Sequence, residues 1–286
     1  MRSLVLSGGG SKGAYMVGCL NHLLGDLEIK YDIICGVSVG AINGAFIAQY
    51  THGQEKLACS EMSEMWKQLN TSKIYRAWKP FGSLHALWKN SFYDSSPLQH
   101  LIRKHIKLET IRNNDRRVNV GTVSLTSGKY TIFDQTSDHF IDAVIASASF
   151  PTAFQPINFL GQLWSDGGIK EVSPIKKAVE LGADVIDVIV TSPRTRIRKF
   201  LESPTTVDIL KRTIDLSTDK ILANDIERVE MYNKLAVAGL TEKKLVKINI
   251  LRPAFNLIED LLDFRPDKIK EMMEKGYDDA KAGFTM

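Results

Sequence analysis

A serine lies between two glycines in the stretch GVSVG, which covers residues 36–40. This is the G-x-S-x-G spacing of a nucleophile elbow, in which flanking glycines permit a strained turn between a strand and a helix. Such a turn lifts the serine hydroxyl out of the sheet, and the first N–H groups of the following helix favour negative charge beside it. The pattern predicts that Ser38 is a nucleophile supported by Gly36 and Gly40, although it is also compatible with an ordinary structural turn.

A second glycine-rich stretch, GGGSKG at residues 8–13, precedes a helical pattern. Glycine loops before helices bind phosphates, and they also form oxyanion holes from backbone N–H groups. The spacing differs from a phosphate P-loop because Lys12 is followed by glycine and no hydroxyl residue comes next. A dinucleotide-binding G-x-G-x-x-G can be placed on the stretch, but no acidic residue clearly ends a second strand after it. We therefore favour an oxyanion hole in which Gly9 and Gly10 face the ester oxygen as Ser38 attacks, with nucleotide binding as the alternative.

The positions of the histidines bear on which base could activate the serine. A serine nucleophile needs a base, and in the familiar chain order an acid and then a histidine follow the serine. None of the six histidines follows His139, which the sequence places in a surface loop. The stretch LWSDGG instead brings Asp166 to the end of a strand-like segment, where a carboxylate could accept the serine proton directly. Considered alone, that stretch is more typical of an Asp-Gly turn.

Strand-like and helix-like segments alternate around these residues. The runs LVLS at residues 4–7 and YDIICG at residues 31–36 are apolar and end at glycine, and each precedes apolar residues at helical spacing. This alternation predicts parallel βαβ units, whose loops meet at the carboxyl ends of the strands. Later strands are predicted in RVNVGTV, KYTIFD, VIDVIVTS and LVKINIL, and helices over residues 208–233 and 266–281. We expect one α/β domain over residues 1–286, built as three α/β/α layers around a mainly parallel sheet.

Composition limits the classes of protein to which the chain can belong. Its 286 residues are 44% hydrophobic and 24% charged, which is ordinary globular usage and allows a sizeable core. The net charge of +4 comes without a long like-charge block, so nucleic-acid binding is not expected. Three cysteines without CxxC spacing favour reduced thiols over a disulfide framework or a zinc site. No apolar stretch is long enough for a membrane span, which favours a cytoplasmic protein.

Three motifs resemble those of the patatin-like phospholipases, in the same order and with similarly wide separation. They are GGGSKG for the family's G-G-G-x-[RK]-G, GVSVG for its G-x-S-x-G, and DGG for its D-G-[GA]. The segment ASASFPTAFQP is similar to the family's A-S-x-x-x-P, and GYDDA near the C-terminus extends the resemblance over most of the chain. One departure is EVSP after DGG, where an asparagine is expected before the proline.

The resemblance implies a Ser-Asp dyad without histidine, with Ser38 as nucleophile and Asp166 as base. It also implies an oxyanion hole at Gly8, Gly9 and Gly10. The residues expected to support the site are Lys12, which either holds the loop or meets an anionic group, together with Gly36, Gly40, Gly167 and Gly168. Such a dyad needs neither a metal nor a cofactor.

We therefore expect a lipid acyl hydrolase of the phospholipase A type, which cleaves fatty acyl esters of phospholipids or related lipids through an acyl-enzyme. Its partners would be a lipid ester substrate and, by peripheral contact, a membrane, so that a cytoplasmic protein would also be found at membranes. Two alternatives remain open at this point. One is a protein of the same fold that binds a nucleotide or lipid without catalysis, and the other is an esterase with a Ser-His-Asp triad that uses His139.

The stretch from residue 66 to residue 93 is harder to assign. It holds three tryptophans among basic residues and glycine, and we interpret it as a lid or insertion over the crevice. Within it, residues 74–93 are expected to engage a lipid surface through Trp78 and Trp88, because amphipathic rings and nearby cations favour membrane interfaces. The alternative is that these aromatic side chains pack in the core beneath a long loop.

Overall fold

A computed structural model of the chain describes residues 1–78, 89–194, 206–240 and 245–284. In this described part, eight strands form one sheet in the order β5-β6-β3-β2-β1-β7-β8, with β4 also paired to β3. The strands are β1 (Arg2–Leu6), β2 (Ile33–Val37), β3 (Arg117–Ser124), β4 (Tyr130–Asp134), β5 (Ile157–Phe159), β6 (Gln162–Asp166), β7 (Val185–Ile189) and β8 (Lys247–Leu251). Neighbours from β3 through β2, β1 and β7 to β8 are parallel, whereas β4, β5 and β6 pair antiparallel. The expected mainly parallel sheet is confirmed.

Helices cover both faces of this sheet. They are α1 (Gly13–Leu20), α2 (Val39–Ile47), α3 (Glu55–Lys67), α4 (Thr71–Ile74), α5 (Ser96–His105), α6 (Leu108–Arg112), α7 (Phe140–Ser147), α8 (Ile175–Glu180), α9 (Thr206–Val237) and α10 (Pro266–Gly283). Alternate strand residues point to opposite faces. Leu4 and Ile34 therefore pack in the larger core with α1, α2 and α10, while Val5 and Ile33 pack in a second core with α8 and α9. The three-layer α/β/α architecture is confirmed.

The first and last helices of the described chain are in direct backbone contact. A Cβ atom on Gly18 of α1 would collide with the carbonyl oxygen of Met273, and one on Gly276 of α10 would collide with that of Tyr15. Glycine at both positions allows the two helix axes to approach closely. The hydroxyl of Tyr15 also donates a hydrogen bond to Asp279, at 3.1 Å. The helix that follows the glycine loop is thereby braced by the C-terminal helix.

The stretch from residue 66 to residue 93 is only partly covered by the described residues. Trp66, in the last turn of α3, is a core residue that is 3% exposed, and it donates a hydrogen bond to Asn43 at 3.0 Å. Trp78 is partly exposed, with Lys89 over its ring and its Nε1 donating to the Ser91 carbonyl at 3.0 Å. Residues 79–88, which include Trp88, lie outside the described residues. The lid or insertion over the crevice therefore stays a prediction.

Two further expectations can be compared directly with the structure. The three cysteines are buried free thiols, in agreement with the absence of a disulfide framework. Among the described helices, not one combines the length and the apolar character that a membrane crossing requires.

Candidate active site

Ser38 lies in the sharp turn that joins β2 to α2. Its backbone angles are φ 58° and ψ −129°, a positive φ that non-glycine residues rarely adopt and that costs free energy. The flanking glycines are required by close backbone approach. A Cβ on Gly36 would collide with the carbonyl of Gly40, and a Cβ on Gly40 would collide with the carbonyl of Leu6. The strand-to-helix turn expected from GVSVG is present, with Ser38 at the wall of a large cavity.

The register of β3 brings the second expected residue to Ser38. Val37 at the end of β2 pairs with Gly121, and Asp166 at the end of β6 pairs with the next residue, Thr122. Because β4 occupies the other edge of β3, β2 and β6 meet end to end along the same edge. The residues at their carboxyl ends are therefore neighbours in space. The Ser38 side chain lies close enough to the Asp166 carboxyl group to lower its pKa.

The Asp166 carboxyl group is almost completely buried, with 3% of the residue exposed. Burial raises its pKa to about 7, while hydrogen bonds from Gly168 and Ser38 act in the opposite direction. The Gly168 N–H donates to Oδ1 at 2.8 Å, so Asp166 is both the buried acid and the first residue of an Asp-Gly turn. Gly167 packs against the carbonyl of Gly121, where a Cβ would collide. A carboxylate with this pKa can exchange a proton near neutral pH.

The glycine loop lies beside Ser38. A Cβ on Gly8 would be 3.3 Å from the Cβ of Ser38. The peptide groups on the two sides of Gly8 are held, because its N–H donates to the Val172 carbonyl at 3.2 Å and its carbonyl accepts from Thr191 Oγ1 at 2.8 Å. In the described part of the chain, by contrast, no hydrogen bond takes up the N–H groups that follow in the loop, those of Gly9 and Gly10. These two glycines line the cavity with Ser38.

Gly10 adopts a conformation that only glycine takes without strain. Its φ is +56°, and a Cβ there would collide with the carbonyl of Leu261. The same carbonyl accepts the Ser11 N–H at 2.8 Å. Segment 256–262, far away in the sequence, thus shapes the glycine loop.

Lys12 points into the protein and is 1% exposed. Its Nζ donates a hydrogen bond to Oδ1 of Asn256 at 3.2 Å. Of the two roles left open by the sequence, this placement favours holding the loop over meeting an anionic group in solution.

The segment that departs from the expected asparagine has its own support. In the EVSP stretch, the N–H groups of Val172 and Ser173 both donate to Oδ2 of Asp225 on α9, each at 3.2 Å. Val172 in turn accepts the Gly8 N–H. A carboxylate from another helix therefore fixes the loop after DGG.

A cavity of about 690 Å³ opens at these residues. Its lining includes Ser38, Asp166 and the glycine loop, and most of the remaining lining is apolar: Ile42, Phe46, Met65, Trp66, Leu69, Ile74, Leu98, Leu101, Ile102, Ile106, Phe154 and Phe264 among others. Ile42 and Phe46 follow Ser38 along α2, so the apolar part extends for about 12 Å along that helix at 1.5 Å per residue. An apolar cavity of this depth fits a hydrocarbon chain better than a polar ligand.

Ser147 is a residue that sequence reasoning did not single out. It ends α7 and belongs to the segment ASASFPTAFQP, and its Oγ accepts the Ser38 N–H at 2.8 Å while donating to the Gly121 carbonyl at 2.7 Å. Two signals were available: Ser147 is the serine of the A-S-x-x-x-P segment, and it ends the otherwise apolar helix sequence FIDAVIAS. Neither signal indicates which backbone groups the side chain would contact.

The described histidines lie away from Ser38. His139 precedes α7 and its ring stacks on Phe159, with 5.5 Å between ring centroids. An eight-residue helix is about 12 Å long, and Ser147 at its other end is the residue that contacts Ser38. Among the described histidines, His105 alone lines the cavity. The side-chain amide of Gln49 donates hydrogen bonds to the backbone carbonyls of Phe46 and His105, which places His105 near the end of α2 that is far from Ser38. In the described ranges, no group of three or more acidic, histidine or cysteine side chains is arranged to hold a metal ion.

The chain belongs to the patatin-like phospholipase family, whose model matches residues 4–179. Among the similar proteins, "Probable lipid hydrolase 463L" of Invertebrate iridescent virus 6 is 24% identical over 268 residues, which are 87% of this chain and 91% of that protein. "Uncharacterized protein R571" of Acanthamoeba polyphaga mimivirus is 27% identical over 180 residues, which are 59% of this chain. The crystal structure of VipD from Legionella pneumophila covers 98% of this chain at 12% identity and a TM-score of 0.45. The matched part spans 58% of R571 and 66% of VipD.

Proposed function

We propose that this protein is a lipid acyl hydrolase of the phospholipase A type, which cleaves fatty acyl esters of phospholipids or related lipids through Ser38 and Asp166. The observation that carries the proposal is the placement of Ser38, held in a strained turn, beside the buried Asp166 carboxyl group at the wall of an apolar cavity. Membership of the patatin-like phospholipase family and similarity to a probable lipid hydrolase support lipid as the substrate class.

Acyl transfer begins with ionised Asp166. Its carboxylate takes the proton of the Ser38 hydroxyl as Oγ forms a bond to the ester carbonyl carbon, and the carbonyl π electrons move to the ester oxygen. The tetrahedral intermediate then collapses, the bond to the alcohol oxygen breaks, and protonated Asp166 returns the proton to the leaving alcohol. A pKa of about 7 suits both steps, since this group can accept and return a proton near neutral pH.

The developing negative charge is proposed to be stabilised by the N–H groups of Gly9 and Gly10. Both line the cavity beside Ser38, and hydrogen bonds to other described groups do not take up their N–H groups. The Gly8 N–H donates to Val172, so Gly8 contributes by holding the loop close to Ser38. Removing one such donor costs about 3 to 4 kcal/mol of transition-state stabilisation in other acyl-transfer enzymes.

Water completes the cycle on the acyl-enzyme. Asp166 accepts a proton from the water, the hydroxide oxygen bonds to the acyl carbon, and the bond to Ser38 Oγ breaks. The proton returns to Oγ and the fatty acid leaves. The net reaction is ester plus water to acid plus alcohol, and it uses only side chains and backbone groups of this chain.

The acyl chain is proposed to lie along α2, from Ser38 past Ile42 towards Phe46. Each methylene moved from water into such a cavity contributes about 0.8 kcal/mol, which favours long chains over short ones. The head group would then remain at the mouth, near Phe92, which lines the cavity and is 54% exposed. The partly exposed Trp78 donates a hydrogen bond to the carbonyl of Ser91, next to Phe92. We propose that the protein makes peripheral contact with a membrane through this mouth. We also propose that residues 1–286 form a single domain with a lid or insertion at residues 66–93.

The test is a fluorophosphonate probe, which labels an activated serine, together with hydrolysis of a p-nitrophenyl ester and of phosphatidylcholine vesicles. Ser38→Ala should abolish labelling and turnover of both substrates, and Asp166→Asn should lower turnover by about three to four orders of magnitude. His139→Ala is the matched control and should retain the wild-type rate.

Each of the other functions predicts a different outcome. A folded wild-type protein that is neither labelled nor active would be a binding protein of the same fold. Loss of activity in His139→Ala with retention in Asp166→Asn would assign a Ser-His-Asp triad. Turnover of the p-nitrophenyl ester by Ser38→Ala at the wild-type rate would show that another residue is the nucleophile.

A further inference from the structure

The strained turn at Ser38 must be held by groups outside the turn itself. A residue with positive φ persists only where its surroundings over-determine the backbone. Ser38 is also the cap residue of α2, and the N–H groups at a helix start have no partner within the helix. Its N–H donates to the side-chain oxygen of Ser147, at 2.8 Å. A side chain from α7 thus holds the backbone of the proposed nucleophile.

The hydroxyl of Ser147 is tied at its other side to β3. The hydroxyl donates its proton to the Gly121 carbonyl at 2.7 Å. It therefore accepts the Ser38 N–H through an oxygen lone pair. Ser147 is fully buried. Because both bonds are made inside the protein, the hydroxyl has one orientation that satisfies both partners, and the two backbone groups are held at a set separation.

Gly121 is also next to the residue at which β6, the strand that carries the acid, begins to pair with β3. Gly121 pairs with Val37, the residue before Ser38, and the next residue of β3 pairs with Asp166. Gly167, the residue after Asp166, packs against the Gly121 carbonyl. The Gly121 carbonyl therefore accepts the Ser147 hydroxyl proton and also contacts the turn that follows Asp166.

We propose that Ser147 is a positioning residue for the reaction, which sets the separation of Ser38 Oγ and the Asp166 carboxylate by bridging the Ser38 N–H to the Gly121 carbonyl. The proposal rests on the proposed function, because it concerns the geometry of the same two residues. Ser147 does not touch the substrate. Its loss lets the turn at Ser38 relax, and a displacement of about 1 Å between reacting groups can lower a rate by about 100-fold.

The experiment compares Ser147→Ala with Ser149→Ala. Ser149 is a matched control: it is 2% exposed, lies two residues further along the same segment, and its Oγ donates to the Ile145 carbonyl at 2.9 Å. Its own carbonyl accepts the Asp166 N–H, and that backbone bond survives the substitution. Both variants lose one buried hydroxyl. We expect kcat for a p-nitrophenyl ester to fall about 100-fold in Ser147→Ala, with KM changed less than about 2-fold, and to stay near the wild-type value in Ser149→Ala.

A second measurement does not depend on activity. In protein labelled with ¹³C at the aspartate carboxyl carbons, the Asp166 resonance, identified by its absence from Asp166→Asn, is followed against pH. The nearby Ser38 side chain lowers the pKa of Asp166, so a displacement of Ser38 in Ser147→Ala should raise the titration midpoint. Ser149→Ala should leave the midpoint unchanged.

The proposal is overturned if the two variants lose kcat equally, or if the Asp166 midpoint is the same in Ser147→Ala and in the wild type. If Ser147→Ala does not fold, Ser147→Cys replaces it, since a thiol is a weak donor and acceptor and should give an intermediate kcat and midpoint. Wild-type values of both in that variant would equally overturn the proposal. If the wild-type protein hydrolyses no ester, the proposed function fails. The titration of the Asp166 carboxyl group still decides whether Ser147 positions Ser38 beside Asp166.

Discussion

The Oδ1 atom of Asp166 accepts a hydrogen bond from the Gly168 N–H at 2.8 Å, in a site where the carboxyl group is almost completely removed from water. These two features act on the pKa in opposite directions. A hydrogen bond to the carboxylate lowers the pKa and burial raises it, and burial is the larger effect here. The outcome is a buried acid that changes its charge at about pH 7.

The first prediction concerns the pH dependence of ester hydrolysis. Asp166 must be ionised to accept the Ser38 proton, and its pKa is about 7, so kcat/KM should rise as the pH increases through about 7. The measurement is p-nitrophenyl ester hydrolysis by protein whose folding is verified at each pH. A midpoint near the ordinary aspartate value of 3.8 would contradict a buried Asp166 as the base.

The same shift predicts a change in stability. The folded-state pKa of Asp166 is about 7 against an ordinary value of 3.8, so between these values the folded protein binds more protons than the unfolded chain. Its contribution to the unfolding free energy is present at low pH and is lost as the pH rises through about 7. Above that pH, Asp166→Asn should therefore be more stable than the wild type, by up to about 4 kcal/mol.

Urea denaturation at acidic and alkaline pH checks this stability difference. Glu171 and Asp225 are also partly or fully buried, with pKa values raised to about 7 and about 6. Both groups contribute equally to the pH dependence of the unfolding free energy in the variant and in the wild type. The difference in unfolding free energy between the two proteins therefore isolates the contribution of Asp166. An Asp166→Asn variant that is less stable than the wild type at high pH would contradict the buried-charge argument.

Gly10→Val should lower kcat more than it raises KM. A side chain at Gly10 would collide with the Leu261 carbonyl and displace the N–H groups proposed to face the oxyanion, and loss of such a donor costs about 100-fold or more in rate. Gly128→Val is the control, since Gly128 has a similar φ of +69° but open space around a Cβ. Both variants carry the backbone penalty of a positive φ. A folded Gly10→Val protein with unchanged kcat would argue against the oxyanion role.

Phe46→Leu should shift the preference of the enzyme towards longer acyl chains. Phe46 lines the cavity two turns along α2 from Ser38, so a smaller side chain lengthens the space for the acyl chain. Each extra methylene accommodated there is worth about 4-fold in kcat/KM, at about 0.8 kcal/mol. Phe133→Leu removes the same volume from a core cluster away from the cavity, and it should lower the thermal stability without altering the ratio between chain lengths.

Trp78→Ala should weaken binding to anionic vesicles while preserving hydrolysis of a soluble short-chain ester. The indole is partly exposed, and the cation of Lys89 lies over the ring at 5.2 Å from its centroid, an arrangement suited to a lipid head-group region. Vesicle co-sedimentation and the two rates are compared. Lower thermal stability with an equal loss on both substrates would instead place Trp78 in the packing of the core.

The local part of this site could be predicted from the sequence. Strand, glycine turn and helix follow one another within a few residues at both GGGSKG and GVSVG, and such short-range patterns specify the turn at Ser38 and the loop at Gly10. The Ser-Asp dyad itself rested on the family resemblance. What brings Asp166 to Ser38 is the register of β3, and pairings between distant strands leave no mark on a single sequence.

Lys12 and Ser147 illustrate the remaining gap. The direction of the Lys12 side chain depends on Asn256, and the role of Ser147 depends on two backbone groups in other elements. Each side chain is of a common type whose meaning comes from its distant partners.

The close contact of Gly18 and Gly276 bears on where this protein can be divided. The family match ends at residue 179, yet α10 lies directly on α1, and the Leu261 carbonyl shapes the loop at Gly10. Both residues of the proposed dyad lie before that boundary, but the support of the glycine loop lies after it. A chain truncated at residue 179 would keep the proposed nucleophile and base and lose the backbone that shapes the loop of the proposed oxyanion donors, so we do not expect the matched region alone to hydrolyse esters.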